Sequence, residues 1–144
     1  LLPESARAAR RLLPAAVAIY EGNALELDFA PASFQVVCQF TVFTSILDAR
    51  FQEELARRMW SWAAPGGGVL WYDFTWDNPR NPDVEGVPPG RVRELFPHGR
   101  LASRRVTLAP PLARAVTRLH PALYTLLNML PPLRTHLLCW IAKP

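Results

Sequence analysis

Three short clusters carry groups able to bind or convert a ligand. Tyr72 and Asp73, followed by Trp76 and Asn78, combine a carboxylate that could serve as a general base with aromatic surface and an amide that could shape a pocket for a small substrate. Gln39, Phe40 and Thr41 place two polar side chains around an aromatic one at the end of an apolar run, where a buried polar group must find a partner in the protein or in a ligand. Gly22, Asn23 and Ala24 form a turn-prone triplet. There an amide oxygen can accept from an exocyclic amine and the next backbone N–H can donate to a ring nitrogen, the complement of an adenine edge. Each cluster also has a plain structural reading. Gly and Asn tolerate positive φ, Gln39 and Thr41 can satisfy the backbone locally, and an Asp beside a strand end often caps a loop.

Other chemistries find less support. His98, His120 and His136 are scattered, and none has a Ser or Cys partner in a recognisable nucleophile motif. Neither Cys38 nor Cys139 has a Cys or His neighbour at metal-ligand spacing, so no metal is expected, and both thiols are expected to be free and buried. Gly66, Gly67 and Gly68 lead from a helix into a strand, the wrong polarity for a phosphate-cradling loop, and are read as turn residues.

The clusters matter because of the elements that would carry them. Pro3 to about Leu13 has Pro and Glu in its first turn and an Ala/Leu face, which predicts a helix. Val17–Glu21, ending at Gly22-Asn23, and Ser33–Phe40 read as buried strands. Asp48 can cap a helix through about Ala63, in which Phe51, Leu55, Met59 and Trp62 recur at helical spacing. Gly68–Phe74 is a continuous apolar run, the pattern of a parallel strand covered on both faces. A proline-rich loop then leads to a short helix at Arg91–Phe96, a strand at Arg104–Leu108, a helical stretch from Pro111 to Leu130 broken near Pro121, and a strand at Thr135–Ala142.

Strands alternating with helices predict an α/β domain, a doubly wound, mostly parallel sheet. In such a sheet ligands bind beyond the carboxyl ends of the strands, which is where all three clusters fall.

The 144 residues suit one domain, and no apolar run is long enough to span a bilayer. No export signal is visible and the cysteines suit a reducing compartment, so a cytoplasmic location is expected. Residues 1–90 hold seven arginines against eleven acids, whereas residues 91–144 hold eight arginines and Lys143 against Glu94 alone. That basic half could meet an anionic partner, although no zinc-finger or strand-aromatic pattern argues for nucleic acid, and none is expected.

Gly22-Asn23-Ala24, then Phe34-Gln35-Val36-Val37, then a long helix and Ala64-Pro65-Gly66-Gly67-Gly68-Val69-Leu70 resemble, in order, the later motifs of class I S-adenosylmethionine-dependent methyltransferases. The resemblance covers residues 1 to about 74. The run Gln39–Leu47, with Trp71–Phe74 and Asn78–Pro82, resembles a bacterial subgroup of that family. It implies a Rossmann-like methyltransferase fold, S-adenosylmethionine as cofactor and methyl transfer to a small-molecule acceptor. Gly22, Asn23, Ala24, Gln39, Phe40 and Thr41 would then bind the cofactor. Tyr72, Trp76 and Asn78 would bind the acceptor, and Asp73 would be the base if one is used. Two departures stand out, because Asn23 and Gln35 occupy places where the family usually has Asp.

The family's first strand, glycine-rich loop and second strand would all precede Leu1. Residues 1–144 are therefore expected to form one partial, N-terminally truncated methyltransferase domain with weak or no cofactor binding and little activity by itself. A doubly wound domain for another nucleotide, as in a dehydrogenase, and a non-catalytic binding or scaffold remnant are the competing readings. Residues 110–133 would form a helical cap or lid. Its apolar face, Leu112, Val116, Leu119, Leu123, Leu126, Leu127 and Leu130, is flanked by Arg114 and Arg118 and could cover a hydrophobic acceptor, touch a membrane surface, or simply pack in the core.

Overall fold

The computed structural model of the chain describes residues 3–77 and 81–144. Helix α1 spans Pro3–Leu12, with Glu4 in its first turn and Arg10 and Arg11 in its last, each placed favourably against the helix dipole. Strand β1 is Phe34–Phe40, helix α2 Ala49–Trp62 and strand β2 Ala63–Phe74. Helix α3 (Pro89–Leu95), strand β3 (Arg100–Leu108), helices α4 (Pro110–Leu119) and α5 (Pro121–Asn128) and strand β4 (Arg134–Ala142) follow.

Helix α2 starts where its chemistry says it should. Asp48 is the N-cap, its carboxylate accepting from the N–H groups of Arg50 (2.8 Å) and Phe51 (3.3 Å), two donors that the first turn cannot satisfy internally. Its buried stripe, Leu55, Ala56, Met59 and Trp62, packs on the sheet together with Val92, Leu95 and Phe96 from the α3 region. The sheet supplies Val69, Trp71, Leu137, Cys139 and Ile141 to the same core.

The four-stranded sheet has the order β1-β2-β4-β3. β1 pairs parallel with β2, while β4 runs antiparallel to both β2 and β3. The expectation of a mostly parallel ladder is thus corrected. Strands β1, β2 and β3 share one direction, but β4 is inserted between β2 and β3 in the opposite one. The cause lies at the foot of the α4–α5 hairpin, where the Ala109 N–H donates to Leu133 O (2.9 Å) and Leu108 faces Arg134 in the ladder. A connection whose ends meet at one end of a sheet must return the chain reversed. Helical residues between two strands do not by themselves make a crossover.

Three further expectations change. Val17–Glu21 forms no strand; Val17 and Tyr20 are exposed, although Tyr20 lies edge-on to Phe29 (5.5 Å), which in turn meets Phe34 and Trp62. An apolar cleft of about 490 Å³, lined by Ala18, Tyr20, Phe29, Phe34, Val36 and neighbouring side chains, opens there beside β1. Second, β1 is an edge strand, so Phe34, Val36 and Phe40 are exposed rather than buried, and so is the Cys38 thiol. Cys139 is buried as expected, and burial pushes its thiol up to about 11. Third, β2 is fully covered on one face only. Val69, Trp71 and Asp73 are buried there, while Leu70, Tyr72 and Phe74 on the other face are half-buried.

The glycines earlier read as a turn lie within β2. Gly66 takes φ +76°, whereas Gly67 and Gly68 are needed for close approach. A Cβ would lie 2.2 Å from Gln35 O at Gly67 and 2.4 Å from Ile141 O at Gly68.

Candidate functional site

Parallel pairing of Val36 with Gly68 through Phe40 with Tyr72 brings the carboxyl ends of β1 and β2 side by side. Val106 and Phe74 both face His136 on β4, so β3 ends there too. This is the end of an α/β sheet where ligands bind. It carries two of the three sequence-derived clusters.

The segment after β1 is held by side chains from three directions. Thr41 takes φ +54°, a costly conformation for a β-branched residue, and its N–H donates to Tyr72 O (2.8 Å). The buried Gln39 accepts from the Val42 N–H through Oε1 (3.2 Å), but its Nε2 has no acceptor among the described residues. Gln52 of α2 donates to Phe43 O (3.2 Å) and Ile46 O (2.9 Å). Asp73 completes the anchoring, its Oδ2 accepting from the Phe43 N–H (3.0 Å) and Thr44 N–H (3.4 Å) and its Oδ1 from the Thr44 hydroxyl (2.7 Å) and Phe74 N–H (3.0 Å).

That set gives Asp73, the residue expected as base if one is used, a structural role as well. The carboxylate is fully buried on the core face of β2, and its four donors occupy the lone pairs that a general base would need free. Asp73 positions the 42–45 turn.

Tyr72 points to the opposite face. Its hydroxyl is 2.9 Å from Thr107 Oγ1, and Thr107 is itself in the left-handed region at φ +62°. Two strained threonines therefore flank one tyrosine, Thr41 on its carbonyl and Thr107 on its hydroxyl. The Tyr72 ring stacks on His136 (centroids 4.8 Å, planes 16° apart), Phe74 lies 4.0 Å from the same imidazole, and Phe40 stands 6.2 Å from Tyr72. His136 is buried, with Nδ1 3.2 Å from the Thr135 hydroxyl. Burial lowers its pKa from the ordinary 6.5, and the Asp73 charge opposes this only in part, so the imidazole is neutral at pH 7. No sequence motif surrounds His136. Its only signal was the pleat of β4, and choosing the face of that pleat requires the register.

Trp76 is exposed past the end of β2, with the Arg105 guanidinium 5.7 Å above its ring. Beside it lies a cavity of about 160 Å³ lined by Thr44, Phe74, Trp76, Asn81, Val84 and Glu85. Gly86 lies hard against the backbone at Thr75 and Trp76, where a Cβ would sit 2.5 Å from the Trp76 backbone nitrogen. The expected contact from Asn78 lies outside the described residues.

The third cluster stands apart in character. Gly22 takes φ +124°, and Asn23 caps a 3-10 turn at Ala24–Glu26, its Oδ1 accepting from the Leu25 N–H (3.0 Å). Turn chemistry thus uses the Asn23 oxygen, while its amide NH₂ makes no hydrogen bond among the described residues. No hydrogen bond links Gly22, Asn23 or Ala24 to Gln39–Thr41 among those residues.

Solved structures share this arrangement of strands and helices. A SAM-dependent methyltransferase from Archaeoglobus fulgidus superposes with a TM-score of 0.59 at 13% identity, over 85% of this chain and 66% of that one. A SAM-dependent methyltransferase from Methanosarcina mazei gives 0.61 at 12% identity, over 98% of this chain and 78% of that one. The chain carries the class I S-adenosylmethionine-dependent methyltransferase fold. The [4+2]-cyclase SpnF shares it as well, with a TM-score of 0.63 at 12% identity over 96% of this chain and 61% of that one, so the methyltransferase fold by itself does not fix the reaction. This chain spans just under two thirds of the length of the Archaeoglobus methyltransferase. No protein-family model and no curated protein matches the sequence.

Proposed function

We propose that the crevice at the carboxyl ends of β1 and β2 serves S-adenosylmethionine-dependent methyl transfer to a small-molecule acceptor. The observation that carries the proposal is the Gln39 Nε2. It is a buried donor without an acceptor among the described residues, beside the strained Thr41 turn, at the ligand end of a methyltransferase fold. An unpaired buried donor costs about 1–3 kcal/mol, a cost that a ligand acceptor arriving there would remove. The donor suits the methionine carboxylate of the cofactor. Phe40 and Thr41 would line the same end of the cofactor, and the free amide NH₂ of Asn23, with Gly22 and Ala24, would meet the adenine.

S-adenosylmethionine supplies an electrophilic methyl carbon when bound, so the protein's task is alignment and exclusion of water. Asp73 and Gln52 fix the 42–46 turn by hydrogen bonds to its backbone. Tyr72, Trp76 and Asn78 would shape the acceptor pocket. Where the acceptor carries a proton that must leave, His136 is the group we assign as base, since its imidazole is neutral at pH 7 and no carboxylate acceptor is left free at Asp73.

Ligand-observed NMR with S-adenosylhomocysteine tests the assignment, because it reports even millimolar affinities. Gln39→Leu should weaken binding by about ten-fold, the loss of one hydrogen bond to a charged group. Equal affinity of the variant and the original protein would remove Gln39 from the cofactor contact.

A further inference from the structure

We infer that the α4–α5 hairpin is a docking surface for an anionic lipid bilayer. This inference is independent of the methyl-transfer reading. Helix α4 buries only Val116 and helix α5 buries no side chain. Leu112, Leu123 and Leu127 are half-buried, whereas Leu119 (79%), Leu126 (60%) and, just past α5, Met129 (67%) and Leu130 (50%) are exposed. Leu126 lies in the last turn of α5, and Met129 and Leu130 follow directly after its end. Packing of a lid helix in the core would have buried them.

Charge identifies the occupant. After Glu94 the sequence has no Asp or Glu, while Arg100, Arg104, Arg105, Arg114, Arg118, Arg134 and Lys143 follow. Arg105 is engaged by Trp76, and Arg134 by the carbonyls of Asn128 and Arg105. Arg100, Arg104, Arg114 and Arg118 are exposed and form no ion pair among the described residues. Arg114 and Arg118 stand one turn apart on α4, next to Leu119. A soluble polyanion would engage such arginines without needing exposed leucines. An anionic membrane surface uses both, the cations at the headgroups and the apolar side chains at the acyl boundary. No described helix is long and apolar enough to cross a membrane, so the contact is peripheral. The hairpin leaves and rejoins the sheet at the Ala109–Leu133 hydrogen bond, at the same end as the crevice.

Vesicle sedimentation with the whole chain tests this, using phosphatidylglycerol in phosphatidylcholine against phosphatidylcholine alone. The protein should pellet with the anionic vesicles, less at high salt, and at least ten-fold less with neutral ones. Arg114→Gln with Arg118→Gln should weaken binding by about five-fold per arginine. Leu126→Ser with Met129→Ser and Leu130→Ser should weaken it by at least about ten-fold with at most a small fall in melting temperature, since half or more of each residue is already exposed. Failure to pellet with anionic vesicles overturns the inference. So does a triple variant that keeps full vesicle and heparin binding, which would make the face a polyanion site. Concentration-dependent dimers abolished by the triple variant, without vesicle binding, would make it a self-association face.

Discussion

Asp73 Oδ1 and the Thr44 hydroxyl lie 2.7 Å apart in the buried core, joining the end of β2 to the turn that follows β1. The pair closes a cradle in which one carboxylate orders a segment 29 residues earlier in the chain. Asp73→Asn replaces one acceptor oxygen by an NH₂ group facing donors, and should cost about 3 kcal/mol and lower the melting temperature by ~10 °C. Calorimetric melting checks it. An unchanged melting temperature combined with lost turnover would return Asp73 to the role of base.

His136 should impose a pH dependence on stability. Its folded pKa lies below 6.5, so between that folded value and 6.5 the unfolded chain binds more protons than the native one. The contribution is fully present above 6.5 and is lost as the pH falls toward the folded pKa. Urea unfolding at a series of pH values should show stability falling with acid over this window. His136→Phe should flatten that part of the curve, and an identical slope in the variant would contradict the assignment.

The glycines of β2 should differ sharply in tolerance. Gly66→Ala meets no atom within 4 Å but must hold φ +76°, costing about 1 kcal/mol. Gly68→Ala drives a methyl to 2.4 Å from Ile141 O and should cost more than about 3 kcal/mol by prising β2 from β4. Denaturant titration of the two variants tests the contrast, and equal losses would refute it.

The two thiols should react at different rates. Exposed Cys38 should be modified promptly by a thiol reagent at pH 8, whereas Cys139, buried and pushed up to about 11, should react only on unfolding. Mass spectrometry of the partially labelled protein distinguishes the sites. Early label on Cys139 would show that the core opens more readily than the packing implies.

Features that neighbouring residues decide were readable along the chain. Asp48 as a cap, the apolar stripe of α2, a strand over Gly68–Phe74 and the break near Pro121 depend on side chains within a few positions of one another. The sequence likewise placed Gln39–Thr41 and Tyr72–Trp76 at strand ends, and the fold brings those ends together. Tertiary structure decided what depends on distant partners. Whether Val17–Glu21 joins a sheet, whether β1 is buried and which way β4 runs are set by neighbours in space, and a local pattern of apolar residues is the same in either case. The structural contacts of Asp73 were hidden for the same reason. An isolated Asp reads as a possible base, and only the arrival of Phe43, Thr44 and Phe74 donors fills its lone pairs. His136 carried no motif, and its place between Tyr72 and Phe74 exists only once β4 pairs with β2.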